Sequence, residues 1–256
     1  MLSTTEISKD IKDSLKTGDI VLFHGGGSVS KIIELVENTP WTHVGMIINP
    51  SDVNLSEVCG NRILLWHSTP KLNINDIEIS SKDFGPEIVY LDDVINLLND
   101  YNYLIVARKL DTSITDKMLD NLNQFIKKVH NDSFPTEPQL FLQYIIGVIM
   151  NIINGLFKKK IPYIYEVIIK DIENTGLKFI IESIEKKPYL LNMHTEFCSE
   201  LIAQTYISMG LLSEENVPES FTPKSFSSQG NMLLNNAKLE NEITISSPSK
   251  ESSSVQ

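Results

Sequence analysis

Cysteine is scarce. The 256 residues contain two, Cys59 and Cys198. That allows one disulfide at most and excludes a disulfide-stapled framework, so a cytoplasmic or other reducing compartment is expected. Positive charge is also scarce: Lys and Arg number 22 against 33 Asp and Glu, for a formal net charge of -11. Nucleic-acid binding draws on clustered cations that release counterions from phosphates, so nucleic acid is not an expected partner. The opening residues MLSTTEISKDIKDSL carry neither a basic n-region nor an apolar h-region, and no secretory leader is expected. No internal repeat is present, and the Cys and His residues lack zinc-ligand spacing. Neither a metal nor another cofactor is expected. What remains is a chain with 41% hydrophobic residues, long enough for one domain with an insertion.

Periodicity divides that chain into a β-rich first half and a helical second half. Ser3 and Glu6 fit a capping box, and Ile7, Ile11 and Leu15 recur every four residues before Gly18, predicting a helix over 5–16. An apolar strand at 19–23, a break at Gly25-Gly26-Gly27 and a helix at 30–37 ending before Pro40 follow. Strands are predicted at 42–48, 63–68, 88–91 and 103–109, with a turn at 49–52. Met118, Leu119, Leu122, Phe125, Ile126 and Val129 make one stripe of a helix over 116–130. Further helical stretches cover 140–157, 163–184 and 197–209, the last stopped by Gly210. From about residue 240 the chain is Ser-rich and poor in apolar side chains, so 240–256 is expected to be a disordered tail.

The residues suited to chemistry are Cys198 and two histidines. Cys198 stands where the last helix begins, and the unpaired N–H groups of a helix start favour the thiolate, the nucleophilic form. The alternative is a buried core cysteine against Leu201, Ile202 and Thr205. His43 opens a strand and shares a face with Gly45 and Ile47. Gly45 leaves room beside it for another backbone or a substrate. If the runs at 42–48 and 63–68 pair, His67 sits beside His43 and orients it, completing a nucleophile–base–orienter set. Glu57 is the alternative orienter. The His43 ring is expected within hydrogen-bonding reach of the Cys198 sulfur.

Gly18-Asp19-Ile20-Val21, Trp41-Thr42-His43-Val44-Gly45 and Phe197-Cys198-Ser199-Glu200-Leu201, in that order, resemble the permuted papain-like branch of the NlpC-type cysteine hydrolases. YiiX-like proteins and their poxvirus relatives belong to that branch. Met209-Gly210-Leu211-Leu212 and Ser220-Phe221-Thr222-Pro223-Lys224-Ser225-Phe226 resemble the family's ending. The resemblance covers most of residues 17–227. It implies an α+β fold in which an antiparallel sheet or small barrel packs on helices. It also implies Cys198 as nucleophile, His43 as base and a third polar residue on the next strand. Glu is usual there; the matching residue here is His67. Residues 1–239 would form one such domain, with a helical apolar insert at about 131–190.

The expected reaction is hydrolysis of an amide through a thioester. The alternatives are a lipid acyl substrate, as in the lecithin retinol acyltransferase-like proteins that share the permuted order, and a non-catalytic binding or virion module with a vestigial site. The apolar run at 140–157, followed by Lys158-Lys159-Lys160, is readable as a core helix, a membrane-surface contact or a span.

Overall fold

The computed structural model describes residues 10–25, 39–69, 76–77, 85–99, 103–131, 198–230 and 232–247. The capping box of Ser3 and Glu6, the helix at 30–37, the apolar run 140–157, the three lysines, the stretch 163–184 and nearly all of the expected insert lie outside the described residues.

The architecture is α+β. Six strands form one sheet in the order β4-β3-β2-β1-β5-β8: β1 is Ile20–His24, β2 His43–Ile48, β3 Leu64–Thr69, β4 Gly85–Tyr90, β5 Leu104–Arg108 and β8 Ile243–Ser246. Every adjacent pair is antiparallel. A two-stranded ribbon joins β6 (Leu110–Asp111) to β7 (Lys238–Leu239). The helices are α1 (Ser56–Cys59), α2 (Leu91–Asn99), α3 (Asp116–Asn131) and α4 (Cys198–Ser208).

Both sheet faces are covered, which explains why β1 reads as a continuous apolar run rather than an alternating one. Ile20, Leu22, Val44, Met46, Ile48, Leu64 and Trp66 pack with Leu122, Ile126 and Val129 of α3 and with Leu201, Ile202, Ala203 and Tyr206 of α4. The alternate residues Val21, Phe23, Ile47, Leu65, Val89, Ile105 and Ala107 pack with Leu91, Val94, Ile95 and Leu98 of α2. Gly18 enters β1 at φ 96°, a conformation that side chains other than glycine rarely adopt. It sets Asp19 so that its carboxylate accepts from the Lys16 and Leu110 amides.

Helix α4 is buried on nearly all sides, and three bonds fix its direction. Ser208 Oγ donates to Asn121 O of α3, whose neighbour Asn123 donates to Asp52 O just past the end of β2. Tyr206 Oη donates to Gly18 O, and Gly18 N donates to Ile47 O. Trp66 Nε1 donates to Thr205 Oγ1 at 3.0 Å, level with Met46, the partner of Trp66 across the ladder. Helix α4 thus runs parallel to β2, and its first residue, Cys198, lies at the end where β2 begins.

The expected tail boundary needs correction. Residues 240–247 are not an irregular tail: Ile243–Ser246 is the sixth strand, with Ile245 only 2% exposed. Arg108 holds the approach to it. Its guanidinium donates to the carbonyls of Phe226, Ser227, Leu239 and Glu240 at 2.6–2.8 Å. Residues 248–256 lie outside the described residues.

Candidate active site

The predicted strands pair as expected, with Met46 opposite Trp66 and Ile47 opposite Leu65. Extending that register puts Gly45 opposite His67, so His43 and His67 are diagonal neighbours on one face. Their rings meet: His43 Nε2 and His67 Nδ1 are 3.0 Å apart. The space left by Gly45 is used for this contact rather than for a substrate. A Cβ built there would lie 2.7 Å from Leu65 Cδ1 and 3.2 Å from His67 Cβ. Phe23 closes the other side of His43, with ring centroids 5.3 Å apart.

The relay continues to a residue that the sequence reading missed. Glu87 on β4 stands opposite His67, and its Oε1 is 3.2 Å from His67 Nε2. Both atoms are buried and neither has a formed hydrogen bond, so the two groups are within reach but poorly aligned. Next to Glu87, Asp76 accepts from the Ile88 amide at 2.8 Å and lies 2.9 Å from His130 Nε2 of α3.

Burial dominates the electrostatics. It pulls His67 down to about 3 against the opposing Asp76 carboxylate. It also holds His43 well below its ordinary value, with His67 adding to the effect. Both rings are therefore neutral at physiological pH. Glu87 is pushed up to about 8 by burial and by Asp76, with His130 opposing.

Glu57 is not the orienting residue. It sits exposed on α1, beyond the last residue of β2, whereas His43 is the first; about 17 Å of strand separates those ends. Cys59 is buried in the core.

Cys198 is the first residue of α4 and is half-buried. It is level with His43 along the sheet, but α4 packs on the Val44, Met46 and Ile48 face while His43 and His67 lie on the other. The expected thiol–imidazole contact is not among those of His43, whose ring meets Phe23 and His67. The sequence pattern located both groups at one end of the sheet. It carried no information on which face the distant helix would cover.

Among the described residues no group of three or more His, Cys, Asp or Glu side chains could hold a metal ion, and no helix is long and apolar enough to cross a membrane. No protein-family model matches the chain, and no curated protein matches it.

Proposed function

We propose that the chain is a cysteine hydrolase of the permuted papain-like kind, with Cys198 as nucleophile, His43 as base and His67 as the residue that orients it. The observation that carries this reading is the enclosed His43–His67 contact at 3.0 Å, which fixes one ring nitrogen of a neutral histidine and leaves the other for chemistry. The helix-start position of Cys198 supports it, because the α4 dipole favours a thiolate. The ladder ends within one residue of His43, at the bond from Thr42 N to Phe23 O, and the reading requires ring and thiol to approach each other around that end of the sheet.

In this mechanism the Cys198 sulfur attacks an amide carbonyl carbon as His43 Nδ1 takes the thiol proton. The Cys198 backbone N–H faces the developing oxyanion. Collapse breaks the C–N bond, the amine leaves with the proton from His43, and a thioester remains. Water then attacks with His43 again as base, releasing a carboxylic acid and restoring the thiol.

The test is labelling by thiol-directed acyl probes, one carrying a peptide amide and one a long-chain ester. Cys198→Ala should abolish labelling, Cys59→Ala should not change it, and His43→Ala should slow it by about 10²–10⁴-fold. Preference between the probes separates amide from lipid substrates.

One observation favours a second reading. The histidines and α4 occupy opposite faces of the sheet, as in a binding module that keeps the residues without the reaction. Labelling that ignores His43, or that maps to Cys59, selects this second reading.

A further inference from the structure

The buried end of the relay does more than fill space. We propose that Glu87 is a positioning residue that sets, through His67, which nitrogen of His43 carries the proton. The premise is geometric. His67 is 0% exposed and has a titratable partner at each ring nitrogen: His43 Nε2 at 3.0 Å from Nδ1, and Glu87 Oε1 at 3.2 Å from Nε2. A neutral imidazole donates from one nitrogen and accepts at the other. The proton on His67 therefore ties its two neighbours together.

Two arrangements satisfy the whole chain. With Glu87 protonated, its O–H donates to His67 Nε2, His67 Nδ1–H donates to His43 Nε2, and His43 carries its own proton on Nδ1. With Glu87 ionised, its carboxylate accepts from His67 Nε2–H, His67 Nδ1 accepts from His43 Nε2–H, and His43 Nδ1 is bare. The first arrangement holds three protons and the second two. The difference is one proton, released to solvent from His43 Nδ1 as the other two shift along the chain. Aligning His67 with Glu87 requires only reorientation of groups already 3.2 Å apart, and it satisfies the two buried atoms left without a formed bond.

The groups facing Glu87 set where the change occurs: His67 on β3, Asp76 at the edge of β4 and His130 on α3. Burial and the Asp76 carboxylate keep Glu87 protonated up to about pH 8, and His130 opposes them. Both imidazolium forms are disfavoured throughout this range. A proton accepted at His43 Nδ1 therefore comes to rest on Glu87 as a neutral carboxyl, avoiding a buried cation. This differs from a triad whose carboxylate stays ionised. The relay stands on its own geometry; its consequence for catalysis rests on the reading of His43 as base.

Long-range ¹⁵N–¹H spectra of the histidine rings test it, because they report the tautomer and need no turnover. In the wild type, His43 and His67 should both change from Nδ1–H to Nε2–H with one shared midpoint near pH 8. The His43 population with a bare Nδ1 should rise about tenfold between pH 7 and 9. Glu87→Gln should abolish the change, and Asp76→Asn should move its midpoint to lower pH. A wild-type His43 that keeps one tautomer from pH 6 to 10 overturns the proposal, whether or not the variants fold. Persistence of the change in Glu87→Gln overturns it equally. Labelling of Cys198 that depends on His43, with a constant His43 tautomer, refutes the relay and leaves the hydrolase standing. A tautomer change with Cys198 unlabelled does the reverse.

Discussion

Substituting Gly45 by alanine tests the packing that holds the histidine pair together. The backbone at Gly45 is ordinary strand, paired with Val21, and Gly45 is not among the positive-φ glycines. The cost of a methyl group there is therefore steric. The added Cβ would stand 2.7 Å from Leu65 Cδ1 and 3.1 Å from Leu65 Cγ, against the ~3.5–4.0 Å of ordinary carbon contact. Leu65 is 0% exposed and cannot swing into solvent, so strand or side chain must shift by roughly 1 Å. Overpacking of this kind costs about 1–3 kcal/mol. The reduced freedom of the unfolded chain returns about 0.4–1 kcal/mol. The net destabilisation is about 1–2 kcal/mol, or roughly 2–8 °C in Tm for a chain of this size. Because His67 Cβ is only 3.2 Å from the new methyl, the His43–His67 contact should lengthen as well, visible as a changed His67 ring shift. Leu65→Ala removes the two closest atoms. The Gly45→Ala, Leu65→Ala double variant should then be more stable than the sum of the singles by about 1–2 kcal/mol in denaturant titrations. A Gly45→Ala protein melting within about 1 °C of wild type, or strictly additive variants, would refute this account of Gly45.

Arg108→Met should remove four hydrogen bonds to main-chain carbonyls, cost about 2–4 kcal/mol and make the chain near residues 228–242 the first site of limited proteolysis. Equal protease resistance in wild type and variant would refute the anchoring role. The pH dependence of stability should have two limbs. His67, held at about 3 against 6.5 when unfolded, contributes stability that is complete above pH 6.5 and is lost as the pH falls toward 3. His43 adds in the same direction. Glu87, held at about 8 against 4.5, contributes stability that is complete below pH 4.5 and is lost as the pH rises through 8, at roughly 1 kcal/mol per pH unit. Glu87→Gln should flatten the alkaline limb alone in urea titrations at fixed pH. An unchanged limb in that variant would count against the protonated carboxyl.

The first three strands and the pairing of His43 with His67 were legible because period-two patterning and a short connection fix both neighbours and faces. Glu87 was not, because the expected strand began only at Ile88, and Gly85 and Pro86 just before it are residue types depleted in strands. In the structure Pro86 is accommodated because β4 is an edge strand, where a missing N–H costs no ladder bond. Ile243 and Ile245 were hidden by the serines around them; composition outweighed a four-residue pattern that tertiary pairing with β5 makes decisive. The start of α4 at Cys198 was readable, but its placement on the face away from the histidines was not. That choice depends on bonds such as Trp66 to Thr205, between residues 139 positions apart.

This separation along the chain has a consequence during synthesis. Strands β1 to β5 and helix α3 are complete once Asn131 has been made, and they already contain the paired histidines. Among the described residues, the side of the sheet that α4 will cover, including Leu22, Val44, Met46 and Trp66, has α3 but not yet α4 against it at that moment. About 70 more residues must be translated before α4 begins, some 3–14 s at ribosomal rates of about 5–20 residues per second. For that interval the nascent protein presents an apolar surface still waiting for its own C-terminal helix, and whatever chaperone attends the ribosome meets that surface first.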